Sequence, residues 1–203
     1  VADPNTAEAP APTRRSQAKA DRRRQLLQAA ARLIAERGYA GLRLEDLGSA
    51  VGISGPAVYR HFSNKEALLV ELLVDISARL FDGGTDVVES ARDAPSALAG
   101  LIEFHLDFAL GESDLIRVQD RDLGSLPEAA RRQVRQFQRR YVEMWVQVLR
   151  ETDPALSETE ARTKAHATFG LINSTPHSAA RTTPAHTRDV LRRMTVAALA
   201  PGV

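Results

Sequence analysis

The 203-residue sequence predicts an all-α fold: an N-terminal three-helix domain built as a helix-turn-helix, followed by a C-terminal helical domain, with about nine helices in all. Three observations carry this. Apolar residues recur at spacings of three and four, almost nowhere does a β-branched run alternate with period two, and helix-start signals punctuate the chain.

Residues 1–15 are rich in Ala, Pro, Thr and acids and show no periodic apolar face, the composition of a disordered tail. From Ser16 the pattern turns helical, with Leu26, Leu27, Ala30, Leu33 and Ile34 on one face and Gly38 as the stop. Leu44, Leu47 and Val51 mark a short helix, and Gly52-Ile53-Ser54 breaks its period. Val58 and Phe62, four apart, mark another, leaving Ala57, Tyr59, Arg60 and His61 to point elsewhere. Two helices this short cannot bury both faces alone, so they must pack on the helix upstream, giving a first domain over 16–63 and a second over 64–203.

In the second domain, helices are expected at 64–82, 94–110, 126–151, 158–178 and 184–199, with a shorter one near 113–119. Ser is followed three residues later by Glu at Ser63/Glu66, Ser125/Glu128 and Ser157/Glu160, the pattern of a reciprocal cap; Thr183 before Pro184 marks another start. Along 126–151, Val134, Phe137, Tyr141, Trp145 and Val148 form an apolar seam that must be buried against a core, a ligand or a partner.

Composition narrows the function classes. Hydrophobic residues at 43% and charged residues at 26% suit a soluble globular chain, and the absence of cysteine removes disulfides, thiolate metal sites and thiol nucleophiles. No apolar run reaches the ~20 residues a membrane helix needs, and no signal-peptide apolar segment opens the chain, so a cytoplasmic location is expected. Net charge is only +1 but unevenly spread: through Lys65 there are 11 basic and 6 acidic residues, a net of +5, against 16 and 20 in the remainder, a net of −4. A basic first third on an acidic body suits an end that meets a polyanion.

In a helix-turn-helix the second helix enters the major groove of DNA with its first residues toward base edges, while flanking side chains grip the backbone. Gly55 and Ala57 are small enough for close approach, and Pro56 fits only because the first turn does not need its N–H. Tyr59 and His61 can donate to phosphates, Arg60 can grip a phosphate or read guanine, and Lys65 suits a further phosphate. Taken singly, each of these residues is also an ordinary member of a helical hairpin.

The segments ERGYAG (36–41), EDLGSAVGIS (45–54) and GPAVYRHFSNKEAL (55–68) resemble the DNA-binding domain of the TetR/AcrR family of bacterial transcriptional repressors, the specific match running from Leu26 to Leu72. The resemblance implies a homodimer that binds a double-stranded operator through its N-terminal domains and holds a small-molecule effector in its C-terminal domain. Carried over position by position, it places Gly55, Pro56, Ala57, Tyr59, His61 and Lys65 at DNA, with Arg43 where the second helix begins; Ser54 and Arg60 complete the expected set. Arg43 stands where relatives have a capping Ser or Thr, which forfeits about 1 kcal/mol of capping, and its guanidinium either meets a phosphate or is simply solvated. Gly48 replaces a common Ala and should weaken its helix slightly.

In the body, Phe104, Phe108, Tyr141, Met144, Trp145 and Phe169 are candidates to line an apolar pocket, with His105, Gln119, Asn173 and His177 as its polar contacts; a plain bundle core accounts for the same residues. The resemblance puts the dimer interface on the last two long helices, where Ile172, Leu191, Met194 and Ala198 are candidates. Two-fold symmetry argues the same way, because one short recognition helix gives poor specificity and two give a palindromic site. The stretch 115–149 is faintly similar to regulators of lipid and acyl-CoA metabolism, pointing to a largely apolar effector such as a fatty acid or acyl-CoA.

Catalysis is not expected. None of the five histidines follows Glu at the Glu-x-x-His spacing of di-iron bundles, His166 and His177 share a face without nearby carboxylates, and no nucleophile elbow, phosphate loop or His-Glu-x-x-His occurs. No cofactor or metal is expected. The rival within reach is a DNA-binding regulator with no small-molecule input.

Overall fold

A computed structural model of the chain describes residues 14–175 and 183–200, and among these it contains nine α-helices and no strand. They are α1 (Arg14–Arg37), α2 (Leu44–Val51), α3 (Gly55–Val58), α4 (Lys65–Ser90), α5 (Ala94–Gly111), α6 (Ser113–Asp122), α7 (Glu128–Thr152), α8 (Glu158–Ile172) and α9 (Pro184–Leu199), with a 3₁₀ turn at Leu123–Ser125. The expected tail through residue 13 lies outside the described residues, and its last two positions, Arg14 and Arg15, already belong to α1.

The helix starts follow local hydrogen bonding. Ser157 and Glu160 form the reciprocal cap, and Thr183 accepts from the His186 N–H with Pro184 in the first turn. The other two Ser/Glu pairs do not cap. Asn64 takes the position ahead of α4 and its side chain accepts from the Ala67 N–H at 2.8 Å, while Pro127, following the 3₁₀ turn, precedes α7 with no side-chain cap.

The largest departure is α4, which continues eight residues past its expected end at 82 and passes through Gly83-Gly84. Those glycines serve packing. A Cβ on Gly83 would stand 2.5 Å from the Phe104 ring, and one on Gly84 would stand 2.6 Å from the Tyr141 ring. Loss of helix propensity at the doublet is the cost of letting two rings lie on the α4 backbone.

Two apolar clusters organise the interior. One joins α1, α2 and α3 to the first three turns of α4 through Leu26, Ile34, Leu47, Val58, Phe62, Leu68 and Leu69, and extends to Leu115 and Val118 of α6 and Val134 of α7. It therefore runs across the expected boundary at residue 63. The second lies among α5, α7, α8 and α9, around Leu101, Leu106, Trp145, Leu149 and Ala165. Phe108 packs against both. No helix among the described residues is long and apolar enough to cross a membrane.

Candidate nucleic-acid interface and effector site

The reading head is shaped by two glycines. Gly38 at φ 81° ends α1 and donates its N–H to Ile34 O, while Gly52 at φ 71° ends α2 and starts the turn into α3. That left-handed conformation penalises any residue with a Cβ. Gly48 has a separate reason: a Cβ there would lie 2.7 Å from the Ile53 carbonyl oxygen, which accepts the turn's approach only because position 48 is bare. The weak helix former expected at this position is thus what permits the tight turn.

After the turn, Ser54 is extended at the start of α3, and Val58 and Phe62 are buried. Their burial leaves Ser54, Pro56, Tyr59 and Arg60 exposed and Gly55, Ala57 and His61 half-buried. Arg43, exposed and extended at the start of α2, makes no side-chain cap bond. Lys65 donates to the Ala40 carbonyl at 3.3 Å and lies 4.9 Å from the Tyr39 ring centre, which pins the first turn of α4 to the α1–α2 loop. The Tyr59 hydroxyl donates to Glu45 Oε1 at 3.0 Å.

The basic arm of α1, from Arg14 to Arg24, which by charge could follow a phosphate backbone, is largely engaged within the chain. Arg22 donates to Val51 O at 3.1 Å, Arg24 pairs with Asp21, and Arg23 pairs with both oxygens of Glu71 while donating to His61 O at 2.6 Å and covering the Phe62 ring at 4.5 Å. Arg22 and Arg23 brace the head. Only Arg14 and Lys19 of the arm remain without a bond among the described residues whose side chains are placed. His61 faces the same group: burial first, then Arg23, Lys19 and Arg22, lower its pKa, so its imidazole is neutral near pH 7. Arg121 of α6 donates to carbonyls in the last turn of α1, Ile34 O and Ala35 O, and pairs with Asp122 at 3.0 Å. The sequence gives no local sign of these long-range partners of Arg22, Arg23 and Arg121.

In the body, the structure brings together His105, Tyr141, Trp145, Phe169 and Asn173. His105 Nδ1 is 3.2 Å from the Tyr141 hydroxyl and Nε2 is 3.1 Å from Asn173 Oδ1. Its ring lies 5.0 Å from Phe169, 5.8 Å from Phe108 and 6.2 Å from Trp145. Burial lowers its pKa to about 4, and burial raises that of Tyr141, so both are uncharged. The Trp145 indole N–H is fully buried and lies beside the Tyr141 hydroxyl without full hydrogen-bond geometry to any acceptor among the described residues. Phe104 joins from the α4 side across Gly83. Gln119 sits half-buried on α6, which packs chiefly on α1, whereas both ring nitrogens of His105 face Tyr141 and Asn173. His177 lies outside the described residues. No group of three potential metal ligands occurs among the described residues.

The four dimer candidates divide. Ile172 at 0% and Leu191 at 5% exposure are spent inside the chain, whereas Met194, at 50%, and Ala198 are exposed on α9 beside Val196. A shallow depression of about 290 Å³ between α8 and α9 is lined by Leu171, Val190 and Met194.

A short exposed helix after a glycine turn, braced against a helical body with an aromatic interior, defines a helix-turn-helix DNA-binding protein. Two family models match: that of bacterial regulatory proteins of the tetR family over residues 26–72, and that of the tetracyclin repressor-like C-terminal domain over residues 92–177. The chain belongs to the TetR family of bacterial transcriptional regulators. It is 32% identical over 137 residues to the HTH-type transcriptional repressor KstR2 of Mycolicibacterium smegmatis, covering 65% of each chain, and 30% identical over 139 residues to the nucleoid occlusion factor SlmA of a Marinomonas species, covering 68% of this chain and 71% of that one. Matches span 46% and 65% of the length of two curated KstR2 relatives. The structure of AibR in complex with isovaleryl coenzyme A and operator DNA superposes with a TM-score of 0.68 at 20% identity, over 85% of this chain and 97% of that one, which shows the shared fold.

Proposed function

We propose that this chain is a ligand-responsive transcriptional regulator, a cytoplasmic homodimeric repressor whose two α3 helices enter successive major grooves of a palindromic operator. The observation that carries it is the reading head: Ser54, Pro56, Tyr59 and Arg60 exposed on and beside a buried Val58–Phe62 anchor, flanked by Arg43 and Lys65. Arg43, Ser54, Gly55, Pro56, Ala57, Tyr59, Arg60 and Lys65 form its DNA-facing surface, with His61 at the edge nearest α1. Half-sites one helical turn apart, ~34–36 Å, match a two-fold pair of such heads. The exposed faces of α8 and α9, including Met194 and Ala198, pair with their copies.

The effector enters the ring group of Phe104, His105, Phe108, Tyr141, Trp145, Phe169 and Asn173. Every one of these side chains is uncharged, so the part of the effector that enters is apolar, and a carbonyl oxygen on it would suit the buried Trp145 N–H, which has the Tyr141 hydroxyl beside it. A fatty acid or acyl-CoA meets both requirements, and the isovaleryl-CoA complex of AibR lends support from a shared fold. Phe108 touches both apolar clusters, so displacing it presses on the head. The effector then shifts the equilibrium by its differential affinity for the two states, typically ~1–3 kcal/mol.

Enrichment of a duplex library with a randomised core, followed by binding titrations, tests the DNA reading: a palindromic site should emerge, and Lys65→Ala should weaken it about uniformly across sequences. Recovery of no site refutes it. A thermal-shift screen with fatty acids and acyl-CoA thioesters tests the effector, since a ligand of the native state raises Tm by mass action. The rings around His105 lie with centroids 5.0–5.7 Å apart, close packing that also suits a regulator with no small-molecule input. No shift across that screen selects this second reading.

A further inference from the structure

The DNA-facing surface holds one acid that no role above uses. Glu45 lies in the first turn of α2, exposed, two residues from Arg43. Its side chain reaches across to the recognition helix: Cγ would be 3.4 Å from a Cβ on Gly55, and Oε1 accepts from the Tyr59 hydroxyl at 3.0 Å. The carboxylate is therefore held over the first residue of α3, the end of a recognition helix that faces base edges. Its own backbone N–H first, then Tyr59, hold its pKa below the ordinary carboxylate value, so it stays ionised.

An ionised carboxylate in that place repels every phosphate brought near it and weakens binding to DNA in general. Its lone pairs find partners only on base edges that present amines, above all N4 of cytosine in the major groove. Tyr59 holds the carboxylate, and Arg43 lies near enough to lower its pKa further. We propose that Glu45 is a specificity-determining residue, accepting a hydrogen bond from a cytosine amine in each half-site and penalising sites that lack it. This rests on the DNA-binding reading above.

The test compares the wild-type chain with Glu45→Ala, Glu45→Gln and Tyr59→Phe, each passed through library enrichment and then titrated against the enriched duplex and a random-sequence duplex. Wild type should show one cytosine preferred about tenfold per half-site. Glu45→Ala should lose that preference and bind the random duplex several-fold more tightly, while every other position keeps its preference. Glu45→Gln should move the preferred base to adenine, whose N6 and N7 a carboxamide matches. Tyr59→Phe should weaken binding overall and keep the cytosine.

An unchanged site for Glu45→Ala overturns the proposal. An affinity of Glu45→Ala for the random duplex equal to that of wild type also overturns it, because the carboxylate would then repel no phosphate. A wild-type chain that enriches no sequence removes the DNA-binding reading itself, a result distinct from either.

Discussion

Lowering the pH from 7 to 5 should remove about 2 kcal/mol of stability through His105 alone. The imidazole is enclosed at 3% exposure among rings, and burial lowers its pKa from 6.5 to about 4. A histidine whose folded pKa is depressed binds fewer protons than the unfolded chain between those two values. Its contribution is therefore complete above about pH 6.5, falls as the pH drops through the window, and is exhausted near pH 4. At ~1.36 kcal/mol per unit the whole effect is about 3 kcal/mol, of which about 2 has gone by pH 5. Urea unfolding of wild type and His105→Gln at both pH values isolates it, because carboxylates and His61, whose pKa is also lowered, titrate alike in the two proteins. Wild type should lose about 2 kcal/mol more than the variant between pH 7 and pH 5. Equal losses, or an NMR titration of the His105 ring with a midpoint near 6.5, would refute the burial argument.

Further outcomes follow from close approaches and end-caps. Gly84→Ala gains ~1 kcal/mol of helix propensity but drives a methyl into the Tyr141 ring and within 3.1 Å of Met144 Sδ, an overpacking that costs ~1–3 kcal/mol, so Tm should fall; a higher Tm contradicts the packing role of the doublet. Gly48→Ala should push the 52–55 turn away from α2 and reduce operator affinity by more than its effect on Tm explains, as paired titrations and melts would show. Arg121→Ala, which removes the guanidinium that donates to Ile34 O and Ala35 O at the end of α1, should cost about 1 kcal/mol in urea unfolding, and an unchanged midpoint would show that water replaces the guanidinium fully.

The head was legible in the sequence because its rules are local. Apolar spacing located α2 and the Val58–Phe62 anchor, and Gly38 and Gly52 both adopt the positive φ that makes glycine a stop signal. The same rule failed at Gly83-Gly84, where two rings arriving from α5 and α7 determine the residue type. Caps missed for a related reason: Asn64 competes with Ser63 one residue away, and only the fold decides which is extended ahead of α4. His105, Tyr141 and Asn173 were all candidates for one pocket, but the two hydrogen bonds that join them span 36 and 68 residues and are fixed only by the fold. Amphipathic spacing identified α9 as one-sided without saying what its apolar side meets, and Leu191, like Ile172 on α8, lies in the interior of the chain.

The apolar cluster shared by the head and the body has a consequence for exchange of parts. A head cut after residue 63 would leave Leu26, Ile34 and Phe62 facing water where Leu68, Leu69, Leu72, Leu115 and Val118 now lie. Grafting this reader onto another regulator therefore requires the first three turns of α4 and a matching α6 face. A chimera joined at the short loop before α4 should be insoluble, whereas one joined beyond Ile76 with the α6 contacts retained should fold.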